Sequence, residues 1–134
     1  MTSGPAVHGL HEAALYTHDL PASVRFWTTL GFPLIRQTNG EHAFFRAGAD
    51  VLLVFNPEAT RAQTGKVPAH GADGAGHVAF DVLNVEALGT WRARLAEANV
   101  EVESEVVWPG GGMSLYFRDP AGNSIELITR GTWG

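Results

Sequence analysis

The second half of this chain repeats the first. A displacement of 65 residues carries Glu12 onto His77, Ala14 onto Ala79, Asp19 onto Asn84, Phe26 onto Trp91 and Leu30 onto Leu95. Farther along, Phe44-Phe45-Arg46-Ala47-Gly48 is matched by Tyr116-Phe117-Arg118-Asp119-Pro120-Ala121-Gly122, with two extra turn residues in the second copy. From there the displacement is 74, and Val51-Leu52-Leu53 falls on Ile125-Glu126-Leu127. A period of this length marks a duplicated supersecondary unit, which restricts the fold more than composition does.

Each copy reads as a strand, a helix and three strands. In the first, Asp19 caps a helix over about Pro21 to Leu30, Pro21 suits its first turn and Gly31 stops it. In the second, Asn84 is the cap, and Leu88, Trp91, Leu95 and Ala98 recur at helical spacing on one face. The following strands are expected at Pro33–Thr38, Glu41–Ala47 and Asp50–Asn56, and again at Val100–Val107, Met113–Arg118 and Ser124–Thr129. Asn39-Gly40 and Asp119-Pro120-Ala121-Gly122 are turn signals. These expectations divide a single domain over 8–132 into module 1 (8–57), a linker (58–75) and module 2 (76–132). The linker is rich in Gly, Ala and Pro and reads as a spacer, with a flap at a cavity mouth as the other possibility.

At 134 residues the chain has the size of one domain and can bury a core without staples. It contains no cysteine, which excludes a disulfide framework and a thiol nucleophile. A net charge of −5 without a basic stripe argues against nucleic acid. No apolar run approaches the roughly 20 residues of a membrane span, and the opening MTSGPAVHG lacks the pattern of a signal peptide. The cytoplasm is the expected location.

One helix covers only one face of a four-stranded sheet, so two modules are expected to pair around a half-barrel cavity, in an α+β fold. Strand alternation assigns the faces. Ala13, Leu15 and Thr17, Val78, Phe80 and Val82, and Ile125 and Leu127 belong under the helices. Glu12, Ala14 and Tyr16, His77, Ala79 and Asp81, and Ser124, Glu126 and Ile128 then point inward. Slipping the first strand by one residue would turn His11 inward instead of Glu12, but would move Leu15 into the cavity and Tyr16 under the helix. Glu12, His77 and Glu126 thus converge. Two carboxylates sharing a cavity need a proton or a cation, and a divalent metal held by one imidazole and two carboxylates meets that need. The bland alternatives are a solvated Glu12, a hydrogen-bonded His77 and a Glu126 acting as a bare general base.

Several segments resemble the vicinal oxygen chelate superfamily, the glyoxalase, bleomycin-resistance and extradiol-dioxygenase group. They are Gly9-Leu10-His11-Glu12 through Asp19-Leu20, Phe26-Trp27-Thr28-Thr29-Leu30-Gly31-Phe32, Gly76-His77-Val78-Ala79-Phe80, and the closing hairpin Ser114 to Leu127. The resemblance implies a divalent metal (Fe, Mn, Zn or Ni) on Glu12, His77 and Glu126, with Glu126 and Tyr116 handling protons. A fourth family ligand would fall on Leu52, so a four-ligand glyoxalase site is incomplete. Glu12 stands where extradiol dioxygenases carry His. The fosfomycin-modifying pattern departs at Glu12 and Ala14.

The resulting expectation is a metal-dependent isomerase, lyase or dioxygenase that chelates vicinal oxygens of a small-molecule substrate, as a homodimer. The alternative is a metal-free protein of the bleomycin-resistance kind, which sequesters an aromatic drug or metabolite in a cleft lined by Trp27, Trp108 and Tyr116. Tyr116 serves equally as a hydrogen-bonding group or as an aromatic wall. Trp108-Pro109-Gly110-Gly111-Gly112 reads as a turn or a lid, Arg118 as a structural cation, and Trp133 as an edge cover or a dimer contact.

Overall fold

The computed structural model describes residues 4–134, so the first three residues of the opening stretch lie outside the described residues. The elements follow the order β1 (Glu12–Tyr16), α1 (Leu20–Thr29), β2 (Leu34–Thr38), β3 (His42–Ala47), β4 (Asp50–Phe55), α2 (Pro57–Ala62), β5 (His77–Val82), α3 (Val85–Glu97), β6 (Ser104–Val107), β7 (Met113–Arg118) and β8 (Ser124–Thr129). They form two four-stranded sheets with the same topology, β1-β4-β3-β2 and β5-β8-β7-β6. The parallel pairs β1–β4 and β5–β8 sit beside antiparallel hairpins in both. This is the α+β, two-module architecture expected from the repeat, and neither sheet closes into a barrel.

The helices start where the sequence places caps. Asp19 accepts a hydrogen bond from the Ala22 amide at 3.1 Å, and Asn84 accepts one from the Ala87 amide at 2.9 Å. Each bond satisfies an amide that has no partner inside its helix. A third helix, α2, occupies the start of the expected spacer. The Asn56 side chain accepts from the Glu58 amide at 3.0 Å, and Pro57 takes the first turn. Asn56-Pro57, at the end of module 1, is therefore a helix-start signal that leads into the segment read as a spacer. The strand expected at Val100–Val107 begins only at Ser104, because the chain is still leaving α3. Asn99 takes a left-handed φ of 58°, and the Val100 amide bonds back to the Leu95 carbonyl at 2.8 Å.

Alternation holds along the strands. Leu15, Leu52, Val54, Val82, Ile125 and Leu127 lie in one apolar core with Trp27, Leu88 and Leu95 of the helices. Leu15 is buried and Tyr16 half-buried on the opposite face, so β1 sits in the register that turns Glu12 away from the core. The modules meet on the helix-covered side rather than through the uncovered faces that the sequence argument paired. Phe26 of α1 packs 6.2 Å from Phe117 of β7, Trp27 packs 5.8 Å from Phe80 of β5, and Phe32 packs 6.1 Å from Trp91 of α3. The physical reason is surface chemistry. The helix side carries the fully buried Trp27, Phe45 and Phe117, whereas the uncovered side mixes half-buried Tyr16, Phe44 and Phe55 with exposed Ala14, His77 and Ala79. Burying the aromatics removes more apolar area from water.

The β6–β7 connection is closed tightly. The Trp108 amide bonds the Gly112 carbonyl at 2.7 Å. A side chain at Gly112 would run into Thr132, whose hydroxyl bonds Thr129 at 3.0 Å. Gly112→Ala is therefore expected to destabilise the protein by about 1–3 kcal/mol through overpacking, measured by urea denaturation. Gly110→Ala, which meets open space, should be near neutral.

Candidate functional site

The uncovered face of the second sheet carries the site. β7 places Ser114 and Tyr116 on this face two residues apart, and the β7–β8 register sets Tyr116 directly opposite Glu126. The β5–β8 register puts His77 opposite Ser124, one step along from Glu126. Glu126 is only 6% exposed, which for a carboxylate demands partners. It has three. The Ser114 hydroxyl donates to Oε2 at 2.6 Å and the Tyr116 hydroxyl donates to the same oxygen at 3.0 Å. His77 Nε2 stands 3.2 Å from Oε1. The Trp108 indole N–H donates to Ser114 Oγ at 2.8 Å, which extends the network to the β6–β7 turn.

His77 Nδ1 lies 3.0 Å from the Ser124 carbonyl. A carbonyl only accepts, so Nδ1 carries the proton. A neutral imidazole then presents a bare lone pair at Nε2, facing a carboxylate oxygen. Two acceptors in contact require something positive between them, either a proton or a bound cation. A ligating histidine is held this way, with its far nitrogen anchored on a backbone carbonyl.

Burial raises the pKa of Tyr116 above the ordinary phenol value, and the neighbouring Glu126 carboxylate pushes it in the same direction, against a smaller opposing effect from Ser114. The phenol therefore stays protonated and donating at neutral pH. Of the two tyrosines, the one removed by Tyr116→Phe is expected to ionise above pH 10, as read by ultraviolet difference titration. Its contribution to stability is present below the unfolded value and is lost as pH rises through the folded one.

The structure brings together His77, Glu126 and Tyr116 but not Glu12. Glu12 is exposed on the edge strand of the other sheet. It lines a separate cavity of about 690 Å³ between the β1 and β5 edges, shared with Asp50, Asp81, Arg46, Arg130 and Trp91 and containing neither His77 nor Glu126. Among the described residues no three His, Cys, Asp or Glu side chains come close enough to hold one metal ion. The counterpart of Glu126 in module 1 also needs correction. Phe44 opposes Leu53 as Tyr116 opposes Glu126, and Ala14 opposes Leu53 as Ala79 opposes Glu126. The equivalent position is Leu53, not Leu52, because Leu52 packs in the core as Ile125 does.

Three tryptophan expectations resolve differently. Trp27 is fully buried in the core and lines no cleft. Trp108 stands at the site, and its ring packs 5.0 Å from Trp133, which is 76% exposed. Arg118 is structural, donating to the Gly122 carbonyl at 3.1 Å and pairing with Glu103 at 3.1 Å. Two residues went unassigned in the sequence. His70 bonds the Tyr16 hydroxyl at 2.6 Å, pinning the chain after α2 against the first sheet. Asn123 is 1% exposed and ties the modules together. Its Oδ1 accepts from the Gly76 amide at 2.7 Å, and its Nδ2 donates to the Tyr16 carbonyl at 3.2 Å and to Asp119 at 2.9 Å.

Paired βαβββ modules in two four-stranded sheets define a class of small α+β folds. The chain belongs to the Glyoxalase/Bleomycin resistance protein/Dioxygenase superfamily, whose profile matches residues 9–127. It is similar to the solved structure of a lactoylglutathione lyase from Agrobacterium tumefaciens, at 33% identity and a TM-score of 0.92, over 97% of this chain and 99% of that one. A glyoxalase/bleomycin resistance protein/dioxygenase from Nocardioides is 30% identical, with a TM-score of 0.71 over 96% of this chain and 85% of that one. A virulence protein from Salmonella typhimurium shares the fold at 20% identity and a TM-score of 0.70, over 93% and 98% of the two chains. No curated protein matches the chain. Among the described residues no helix is long and apolar enough to cross a membrane.

Proposed function

We propose that this protein is a metal-dependent enzyme of the glyoxalase/dioxygenase type. It would act on a small organic substrate that presents two neighbouring oxygens, by isomerase, lyase or dioxygenase chemistry. The observation that carries the reading is the 3.2 Å approach of His77 Nε2 to Glu126 Oε1, with Nδ1 committed to the Ser124 carbonyl. The donor set suits a divalent ion such as Fe, Mn, Zn or Ni: an imidazole nitrogen and a carboxylate oxygen, both oriented by hydrogen bonds behind them. One chain supplies two of the donors. The third is assigned to Glu12 of a second copy in a homodimer, since Glu12 is exposed and, among the described residues, engaged in no ion pair. When bound, the ion would polarise substrate oxygens as a Lewis acid. The protein's own part is to keep Glu126 oriented, to hold a proton on Tyr116, and to offer Glu126 as a base once substrate oxygens arrive. The similarity to a lactoylglutathione lyase favours lyase chemistry within this range.

The test is metal analysis of protein purified without added metal, alongside sedimentation. Stoichiometric divalent metal in a dimer, lost in His77→Ala and reduced in Glu12→Gln, is the expected result. A metal-free protein whose tryptophan emission is quenched by planar drugs would overturn it in favour of sequestration. The Trp108–Trp133 pair beside Ser114 is the observation behind that second reading, because an exposed aromatic ledge next to polar groups suits a flat ligand.

A further inference from the structure

We propose that Ser114 and Trp108 are positioning residues that divide the Glu126 carboxylate into a fixed oxygen and a working oxygen. The inference rests on the reading of His77 and Glu126 as a ligand-holding pair. An indole N–H only donates, and a serine hydroxyl has one proton. With Trp108 Nε1 donating to Ser114 Oγ at 2.8 Å, the serine proton is left for Glu126 Oε2, 2.6 Å away. The direction of the chain is therefore set: indole to hydroxyl to carboxylate. Tyr116 donates to the same Oε2 at 3.0 Å. Two donors saturate Oε2 and fix the carboxylate plane, so Oε1 alone remains for whatever His77 Nε2 shares with it. Ser114 is fully buried, so no water substitutes for its hydroxyl.

The duplicated architecture supplies an internal control. In module 1 the three matching positions are His42, Phe44 and Leu53, by the same strand pairing. His42 stacks on Phe44 at 4.4 Å, and no carboxylate stands opposite. The two hydroxyl donors appear in the copy that has the carboxylate, while the other copy carries at those positions a phenyl ring and an imidazole whose Nε2 has no partner among the described residues. A purely structural pair of polar side chains would have no reason to follow the carboxylate.

The experiment titrates Zn²⁺ into the full-length protein by calorimetry, below the melting temperature of every variant. Ser114→Ala is expected to weaken Zn²⁺ binding about tenfold to a hundredfold, the usual size for a partner behind a ligand. Ser114→Thr keeps the hydroxyl and should recover part of the loss, and Trp108→Phe should weaken binding less than Ser114→Ala. A metal-free readout runs beside it: hydrogen exchange of the Trp108 indole proton by NMR, expected to be slow in wild type and fast in Ser114→Ala and Glu126→Ala. Equal Zn²⁺ affinity in Ser114→Ala and wild type would overturn the proposal. So would a Trp108 proton that exchanges as fast as that of exposed Trp133. If wild type takes up no Zn²⁺, the metal reading fails on its own; the positioning claim then stands or falls on the indole proton.

Discussion

Replacing Asn123 with Ala should lower stability by about 3 kcal/mol, because a buried side chain that satisfies three separate groups would vanish. The Gly76 amide, the Tyr16 carbonyl and the Asp119 carboxylate all use it. The Asp119 carboxylate in particular does not regain water easily, since Asn123 is 1% exposed and Asp119 5%. Burial already pushes the Asp119 carboxyl above its ordinary range, opposed by hydrogen bonds from Asn123, Ala121 and Gly122. Removing the Asn123 amide leaves the burial effect less opposed. The folded form then holds its proton more tightly, so the variant should lose proportionally more stability as pH rises through that folded value. For a chain of this size the drop in melting temperature is about 10 °C. Calorimetry of wild type, Asn123→Ala and Asn123→Asp would check it, and a change under about 2 °C in the alanine variant would contradict the account.

Glu126→Ala should behave in the opposite way. Metal uptake is expected to fall by more than the tenfold to hundredfold that follows loss of an outer partner, because a donor is removed outright. Stability should change much less than in Asn123→Ala. The substitution deletes a buried carboxylate that carries its own desolvation cost, and this offsets the hydrogen bonds lost by Ser114 and Tyr116. Denaturation and metal titration on the same sample separate the two variants. A Glu126→Ala protein as unstable as Asn123→Ala would make Glu126 a structural residue and remove the main support for the proposed activity.

Much of the fold was legible because two periodic signals agreed. The repeat announced two equal units, and alternation put Leu15, Val82, Ile125 and Leu127 in the core, where they lie. The Tyr116–Glu126 pair was legible because β7 and β8 form a hairpin whose turn sets the register, and His77 joined it because the repeat placed β5 as the opening strand of the same module and alternation turned His77 to the same face. What was not legible depended on how the modules dock. Alternation says that a face is apolar or polar, not which face meets its copy, and so Glu12 was drawn toward a site on another sheet. The Leu52 assignment failed on a finer point. An offset measured across a turn of uncertain length carries a one-residue error, and one residue exchanges the faces of a strand. Asn123 was hidden because its partners, Tyr16 and Gly76, are remote in sequence and are backbone groups without a side-chain signature.

The placement of that asparagine also links assembly to chemistry. Its neighbour Ser124 supplies the carbonyl that orients the His77 ring, and Gly76, which Asn123 grips, directly precedes His77. Of the three bonds the Asn123 side chain makes, the one to the Tyr16 carbonyl crosses between the halves, so a partial separation would loosen the residue that flanks both Gly76 and Ser124 while the strand pairing that holds the His77 ring stays intact. Mild warming or dilute denaturant should thus free the Asn123 side chain, read from its amide protons by NMR, while the circular dichroism still looks native.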